Sequence, residues 1–265
     1  MSDSPKNLLF ADGYVGLELT NFLLSEHRGD LKAVVTKSEN EISGLARREN
    51  VEVCVAPDDS YLMERFSNVI DLGLLAWWPS IIKPPLLDLP HNGFVNIHPS
   101  LLPHNRGKNP NFWAIVEERP FGVTVQKVDS GIDTGEIIAQ KEIVYGWCDT
   151  GGTLYKKALA EAVNLFKKVY IKIRKGQFET SIQDEGGSFH VADELEVASE
   201  IVIIIATKQR VFHPFSSPPN ALENLDEKSF VTVIIHSNVR QISGQRNSNS
   251  GLAMFSNSGW SEYES

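Results

Sequence analysis

Cysteine is scarce in this 265-residue chain: there are two, Cys54 and Cys148. They lie far apart and neither has metal-ligand spacing, which argues against a disulfide framework and against a structural zinc site. Cys54 falls in the apolar run VEVCV and reads as a buried free thiol of a protein kept in a reducing cytoplasm. Long hydrophobic runs are missing as well. The block Glu200–Ala206 is far shorter than the roughly 20 residues a spanning helix needs, so no membrane is expected. The N-terminus, MSDSPKNLLFADG, has no basic region followed by an apolar one, and no secretory signal is expected. Dense positive charge is also lacking. There are 25 Lys and Arg against 34 Asp and Glu, a net charge of −9. The lysines between Lys156 and Lys175 are spread along a helical pattern and read as a solvated face. A partner held through its phosphate backbone, such as a nucleic acid, is therefore not expected.

What is present is an alternation of strand and helix signals. Hydrophobic residues make up 42% of the chain, enough for one large core or a core with a small appendage. Short apolar runs at Asn7–Ala11, Leu31–Thr36, Val51–Ala56, Asn68–Ala76 and Gly93–His98 predict strands. Between them, Gly13–Glu26 has apolar residues at helical spacing, Glu39–Asn50 is a polar helix candidate and Ile81–Leu87 predicts a short helix. Strands separated by helices argue for right-handed βαβ units. The expected fold class is α/β, a Rossmann-like, mostly parallel sheet with flanking helices. Ligands of such sheets bind beyond the carboxyl ends of the strands.

Further on, a helix is expected near Asn111–Glu117 and strands at Gly122–Val128 and Glu136–Val144. A long amphipathic helix over Thr153–Lys175 carries its stripe on Leu154, Ala158, Ala162, Leu165, Phe166 and Val169, with Gly176 as its stop. Residues 1–180 thus form the expected main domain. Residues 181–237 read as a small α+β or β-rich C-terminal appendage, with a helix-like stretch at Asp193–Ser199, a β-rich run at Ile201–Ala206 and a strand at Phe230–His236. The Ser/Asn/Gly-rich segment 238–265 is expected to be weakly ordered.

Candidate chemistry concentrates in residues 93–140. Asn96 and His98 are two apart in an alternating apolar run, a spacing that puts both on one face of a strand. Pro99 ends that strand. A second acidic turn, Asp129-Ser-Gly-Ile-Asp133-Thr-Gly, follows the next β-rich run. An amide donor, an imidazole and a carboxylate suit acyl transfer through a tetrahedral oxyanion. Each has a blander reading: Asn96 closing a strand, His98 in a turn before Pro99, Asp133 capping a turn before Gly135. His91 and His104 sit in loops and read as solvent-facing or substrate-adjacent. At the N-terminal turn only Gly13 and Gly16 are present, which lacks the three-glycine spacing of a dinucleotide site. No His, Asp, Glu or Cys cluster has ligand spacing, so no metal is expected.

Two of these motifs together, NIHPSLLP (Asn96–Pro103) and DSGIDTGEII (Asp129–Ile138), resemble the catalytic core of the 10-formyltetrahydrofolate-dependent formyltransferases. The resemblance covers about residues 5–180. RGKNPNFWAI (Arg106–Ile115) and WWPSIIKPPLLDLP (Trp77–Pro90) are similar to segments of the branch that formylates nucleotide-linked amino sugars. A phosphate-binding turn of the glycinamide ribonucleotide branch is replaced by Tyr14-Val-Gly16. The basic features of the methionyl-tRNA branch are not evident. The Phe212–Pro219 segment is only faintly similar to the sugar branch.

The resemblance implies that Asn96, His98 and Asp133 are catalytic and that N10-formyltetrahydrofolate is the co-substrate. The family's pterin pocket would correspond to Ile81, Ile82, Leu102, Asp129 and Ile132. The acceptor, a nucleotide-linked amino sugar such as a dTDP-3- or 4-amino-dideoxyhexose, would meet Arg106, Lys108, Asn109, Phe112 and Trp113, the last two having a second reading as core residues of their helix. Homodimerisation and a role in O-antigen or lipopolysaccharide biosynthesis are habits of that branch. Another acceptor, a non-catalytic folate or nucleotide-binding module, and an NAD-dependent enzyme are the competing readings.

Overall fold

Continuous apolar strands dictate the centre of the molecule. The computed structural model describes residues 4–146 and 148–195, together with the backbone of two strands at Phe230–Ile235 and Gly251–Ser256. Strands β1 (Asn7–Ala11) and β4 (Leu72–Ala76) are buried at every position, the pattern of parallel strands covered on both faces. With β2 (Leu31–Thr36), β3 (Glu52–Val55), β5 (Phe94–His98), β7 (Gly122–Lys127) and β8 (Ile137–Glu142) they form a seven-stranded sheet, ordered β3-β2-β1-β4-β5-β7-β8. The first five of these strands pair in parallel; β7 and β8 continue the sheet antiparallel beyond β5. The sheet is therefore mostly parallel, as the sequence pattern predicts.

Alternation along each strand sorts side chains onto two cores. Leu9 and Ala11 of β1 face one core, with α1 (Gly13–Glu26), α2 (Glu41–Arg48) and the long α5 (Gly151–Arg174) packed there through Leu19, Ala46 and Phe166. The helix expected near Asn111 forms as α4 (Pro110–Val116) and adds Ala114 to the same core. Leu8 and Phe10 face the other, covered by α3 (Asp59–Phe66) through Leu62 and Phe66, and by Ile82, Leu86 and Leu89. At Gly73 of β4 an added Cβ would run into the Phe94 ring of neighbouring β5, so the close approach of these strands needs glycine.

Helix α5 is fixed at both ends. Thr150 and Thr153 form a reciprocal capping box at its start. Near its end, the Arg174 guanidinium meets the Asp30 carboxylate through two bonds of 2.7 Å, and Tyr170 Oη donates to Asp30 at 2.8 Å. Asn7 Nδ2 of β1 donates to Tyr170 Oη at 2.8 Å, tying helix to sheet. Burial alone would raise the Asp30 carboxyl, but the bonds from Arg174 and Tyr170 hold it below the usual carboxylate range. Gly176, at φ +61°, turns the chain out of the helix.

Several elements differ from expectation. Helix α3 has no counterpart in the sequence reading, although Asp58 caps it by accepting from Tyr61 N at 2.7 Å. The strand expected from Asn68 begins only at Leu72. Asn68 takes φ +59° and Val69 N bonds back to Phe66 O, so those residues finish α3 instead. In place of a helix over Ile81–Leu87 there is one 3-10 turn at Leu86–Asp88; Pro84 and Pro85 have no N–H to give a helical ladder.

The boundary expected at residue 180 is crossed by backbone bonds. Ser181 forms an antiparallel bridge with Ile137, and β9 (Phe189–His190) pairs in parallel with β6 (Arg106–Gly107). Strands β10 (Phe230–Ile235) and β11 (Gly251–Ser256) pair antiparallel, the latter within the stretch expected to be weakly ordered. The β-rich run expected at Ile201–Ala206 and the Phe212–Pro219 segment lie outside the described residues, as does most of Asp193–Ser199. Among the described residues no helix is long and apolar enough to cross a membrane.

Candidate active site

The carboxyl ends of β1, β4 and β5 open into a cleft of about 1020 Å³. It lies where the strand order reverses, between β1 and β4, and extends across β5 to the β7–β8 loop. Open sheets of this kind bind ligands at such a position.

Strand β5 delivers Asn96 and His98 to this cleft on the face opposite Val95 and Ile97, which point into the α5-side core. The β7–β8 loop brings Asp133 to them across a large sequence separation. Asp133 Oδ1 lies 3.5 Å from Asn96 Nδ2 and 3.5 Å from His98 Nδ1. Gln126 Nε2, on β7 directly across from Asn96, donates to the same oxygen at 3.1 Å. The second oxygen, Oδ2, accepts from the Gly107 backbone N–H at 3.0 Å. The carboxylate is thus aimed by three donors, and its side chain is only 13% exposed. His98 is buried, with Nε2 3.3 Å from the Asn105 carbonyl. A carbonyl only accepts, so Nε2 carries a hydrogen there and Nδ1 is the nitrogen turned to Asp133.

The loop bearing Asp133 is tightly built. Asp129 Oδ1 accepts from Gly131 N at 3.0 Å and from Thr134 Oγ1 at 2.7 Å, so this carboxylate shapes the turn. Asp133 itself adopts φ +54°. Gly135 packs on the Lys127 carbonyl with no room for a Cβ.

The remaining residues singled out in the sequence divide into two groups. Ile81, Ile82, Asp129, Ile132, Lys108 and Asn109 line the cleft. Ile81 and Ile132 are exposed apolar side chains there, at 59% and 38%. Leu102, Arg106, Phe112 and Trp113 do not line it. Leu102 is buried, its backbone N–H given to Thr124 and its carbonyl accepting from Gln140. Arg106 directs Nε and Nη2 to Gln183 Oε1 at 3.0 and 2.7 Å. Phe112 and Trp113 are buried, the first edge-on to the second and Trp113 stacked on His190 at 3.9 Å. Neither His91 nor His104 lines the cleft: His91 lies 3.7 Å from Asp71, and His104 is held below the ordinary histidine range by burial and by Arg119.

The sequence reading missed other cleft residues. Trp77 and Trp78 form the floor at the end of β4. A left-handed backbone at Trp77, φ +62°, turns its indole toward Tyr155 of α5, with Nε1 3.1 Å from Tyr155 Oη, while Trp78 packs edge-on to Phe10. His190 lies at the cleft edge between Glu194, 2.8 Å from Nδ1, and Glu117, 3.3 Å from Nε2. Burial alone would lower its affinity for a proton, but the two carboxylates outweigh this and hold His190 above the ordinary histidine range. Gln126 was findable as a polar residue in an apolar strand; Gln183 and His190 carry no local signal.

Known proteins are similar to this chain. Residues 63–170 match the family model described as formyl transferase. The chain is 31% identical over 166 residues to a methionyl-tRNA formyltransferase of Agathobacter rectalis, covering 60% of this chain and 53% of the relative. The chain thus spans about half the length of that relative. It is 27% identical over 226 residues to a GDP-perosamine N-formyltransferase of Brucella melitensis, covering 82% of this chain and 83% of that one. Among solved structures, the formyltransferase PseJ from Anoxybacillus kamchatkensis, in complex with UDP-4,6-dideoxy-4-formamido-L-AltNAc and tetrahydrofolate, aligns with a TM-score of 0.57 at 29% identity. That alignment covers 72% of this chain and 88% of PseJ.

Proposed function

We propose that this protein transfers a formyl group from N10-formyltetrahydrofolate to the amine of a nucleotide-linked amino sugar. The observation that carries this reading is the convergence of Asn96, His98 and Asp133 at the centre of the cleft. The neutral amine attacks the formyl carbon, and Asn96 Nδ2 donates to the oxygen as it gains negative charge. Removing one such donor typically costs about 3–4 kcal/mol of barrier. His98 takes at Nδ1 the proton that the amine sheds, and the Asp133 carboxylate beside it stabilises the imidazolium that forms. The carbon–N10 bond then breaks, N10 is protonated and tetrahydrofolate leaves.

The cleft lining offers groups for two different partners. Ile81 and Ile132 are exposed apolar walls for a flat pterin. Lys108 and Lys156 are exposed cations lining the cleft, fit to meet a diphosphate. Arg106, committed to Gln183, and the buried Phe112 and Trp113 are not assigned to the acceptor; the indoles of Trp77 and Trp78 offer flat faces in their place. The likeness to the GDP-perosamine enzyme over most of both chains supports a sugar acceptor. A methionyl-tRNA acceptor is the second reading, favoured by the Agathobacter relative; the net charge of −9 weighs against it.

The test is a mass-spectrometric transfer assay with N10-formyltetrahydrofolate and a panel of dTDP-, UDP- and GDP-linked 3-amino and 4-amino dideoxy sugars, with methionyl-tRNA alongside. A formylated nucleotide sugar is expected. Formylation of the tRNA alone would replace this acceptor, and no product with folate still bound would refute the transfer.

A further inference from the structure

One side chain from beyond the matched segment 63–170 reaches the Asp133 loop. After α5 the chain bridges Ile137 through Ser181, and two residues later the Gln183 amide enters a set of partners that fixes its orientation. Its Oε1 accepts from Arg106 Nε at 3.0 Å and Nη2 at 2.7 Å. A guanidinium has donors and no acceptor, so the amide oxygen must face it and the NH2 must face the other way. On that side Nε2 donates to the carbonyls of Asp133 and Gly135, both at 2.8 Å, and lies 3.2 Å from Gln126 Oε1. These two carbonyls flank Thr134 in the turn where Asp133 is left-handed.

The contact with Gln126 extends the order by one more step. With Gln126 Oε1 turned to Gln183, Gln126 Nε2 is turned to Asp133 Oδ1, 3.1 Å away. The bonds therefore run in one direction, Arg106 to Gln183 to Gln126 to Asp133. They start at a group that only donates and end at a carboxylate that accepts. Each amide has its flip decided by its neighbour, and bonds aligned this way polarise one another.

We propose that Gln183 is a positioning residue for the transfer reaction, holding the Asp133 loop by its two carbonyls and setting the Gln126 amide that aims the carboxylate. This rests on reading Asp133 as part of the catalytic group. Arg106 is then the anchor of this chain of bonds and not a phosphate ligand.

Gln183→Glu tests the idea with little change of shape. The carboxylate keeps Arg106 but turns an oxygen, with no hydrogen to give, toward the oxygens of Asp133, Gly135 and Gln126. The assays are turnover with the best acceptor of the nucleotide-sugar panel, and binding of 5-formyltetrahydrofolate followed by tryptophan fluorescence, both on the full chain. We expect kcat to fall about 100-fold, the size of effect a displacement near 1 Å produces, with folate affinity changed less than about threefold. In an Asp133→Asn background the same change should add little, because the group being positioned is already lost. Gln183→Met, which removes donor and acceptor together, serves if the Glu variant does not fold and should show the same dependence on Asp133. Wild-type kcat in Gln183→Glu or Gln183→Met, or losses that multiply with those of Asp133→Asn, would overturn the positioning role alone. Unimpaired turnover in Asp133→Asn by itself would overturn the catalytic reading and this inference with it.

Discussion

Replacing Asp133 by Asn changes one atom in the most crowded hydrogen-bond position of the cleft. The native carboxylate only accepts: Oδ2 from Gly107 N at 3.0 Å, Oδ1 from Gln126 Nε2 at 3.1 Å and Asn96 Nδ2 at 3.5 Å. An amide must put its NH2 on one of those sides. Turned toward Gly107, it faces a backbone N–H; turned the other way, it faces two side-chain amides. Either choice leaves a shielded donor unpaired, which costs about 1–3 kcal/mol. For a chain of this size that lowers Tm by about 2–4 °C per kcal/mol. The effect on rate is the larger one. His98 Nδ1, 3.5 Å from Oδ1, loses the negative partner that stabilises the proton it takes. Positioned acid–base groups contribute about 10²–10⁴-fold, and kcat should fall by that order while folate binding stays near the native value. Single-turnover transfer monitored by mass spectrometry, with thermal unfolding run in parallel, measures both quantities. A folded Asp133→Asn protein turning over within about threefold of the native rate would refute the assignment of Asp133 to the chemistry.

Asn96→Ala should lower kcat by about 10²–10³-fold through loss of one oxyanion donor, with 5-formyltetrahydrofolate affinity unchanged; a loss seen only in KM would argue against that role. Arg174→Ala leaves the Asp30 carboxylate, whose side chain is 1% exposed, charged and without its ion partner. Urea unfolding should show about 3–5 kcal/mol of lost stability, and a loss below about 1 kcal/mol would contradict a buried pair. Because the Asp30 carboxyl is held below its ordinary value in the folded state, its contribution is complete above the unfolded value near ~3.9 and is lost as pH falls through the folded one. The stability advantage of the native chain over Asp30→Asn should therefore hold from pH 7 toward pH 4 and shrink in stronger acid, as denaturant midpoints across that range will report. Gly73→Ala forces a Cβ into the Phe94 ring and should destabilise by about 1–3 kcal/mol; Phe94→Leu in the same chain should recover part of that loss, and additive losses would show the two do not collide.

The strands were the most legible part of the sequence. Expectation and structure agree on β1, α1 and β2 at both ends, because a parallel strand buried on both faces must be apolar throughout and a core-facing helix must repeat near 3.6 residues. Helix α3 is faint in the sequence, since Leu62 and Phe66 are its only buried residues and so short a stripe gives little periodic signal. Proline decided the fate of 81–87, and a left-handed Asn68 shortened β4. Within the site, the two-residue spacing of Asn96 and His98 suffices to put them on a shared strand face. Arg106 looked like a phosphate ligand because residue type reveals a charge but not its partner. Phe112 and Trp113 could be read as ligand contacts or as core, since an aromatic residue serves both, and they are buried.

The chain order of strands and helices, the apolar centre of the sheet and the delivery of an amide and an imidazole at one strand end were set by local pattern alone. Those features depend on backbone sterics and on the period of burial, which a sequence displays directly. The docking of Asp133 onto β5, the return of residues 181–190 to Arg106 and Gly107, and the aligned amides of Gln126 and Gln183 were decided only in the folded molecule. They join groups distant along the chain, and a hydrogen bond leaves no mark on sequence until the backbone has brought donor and acceptor within reach of each other.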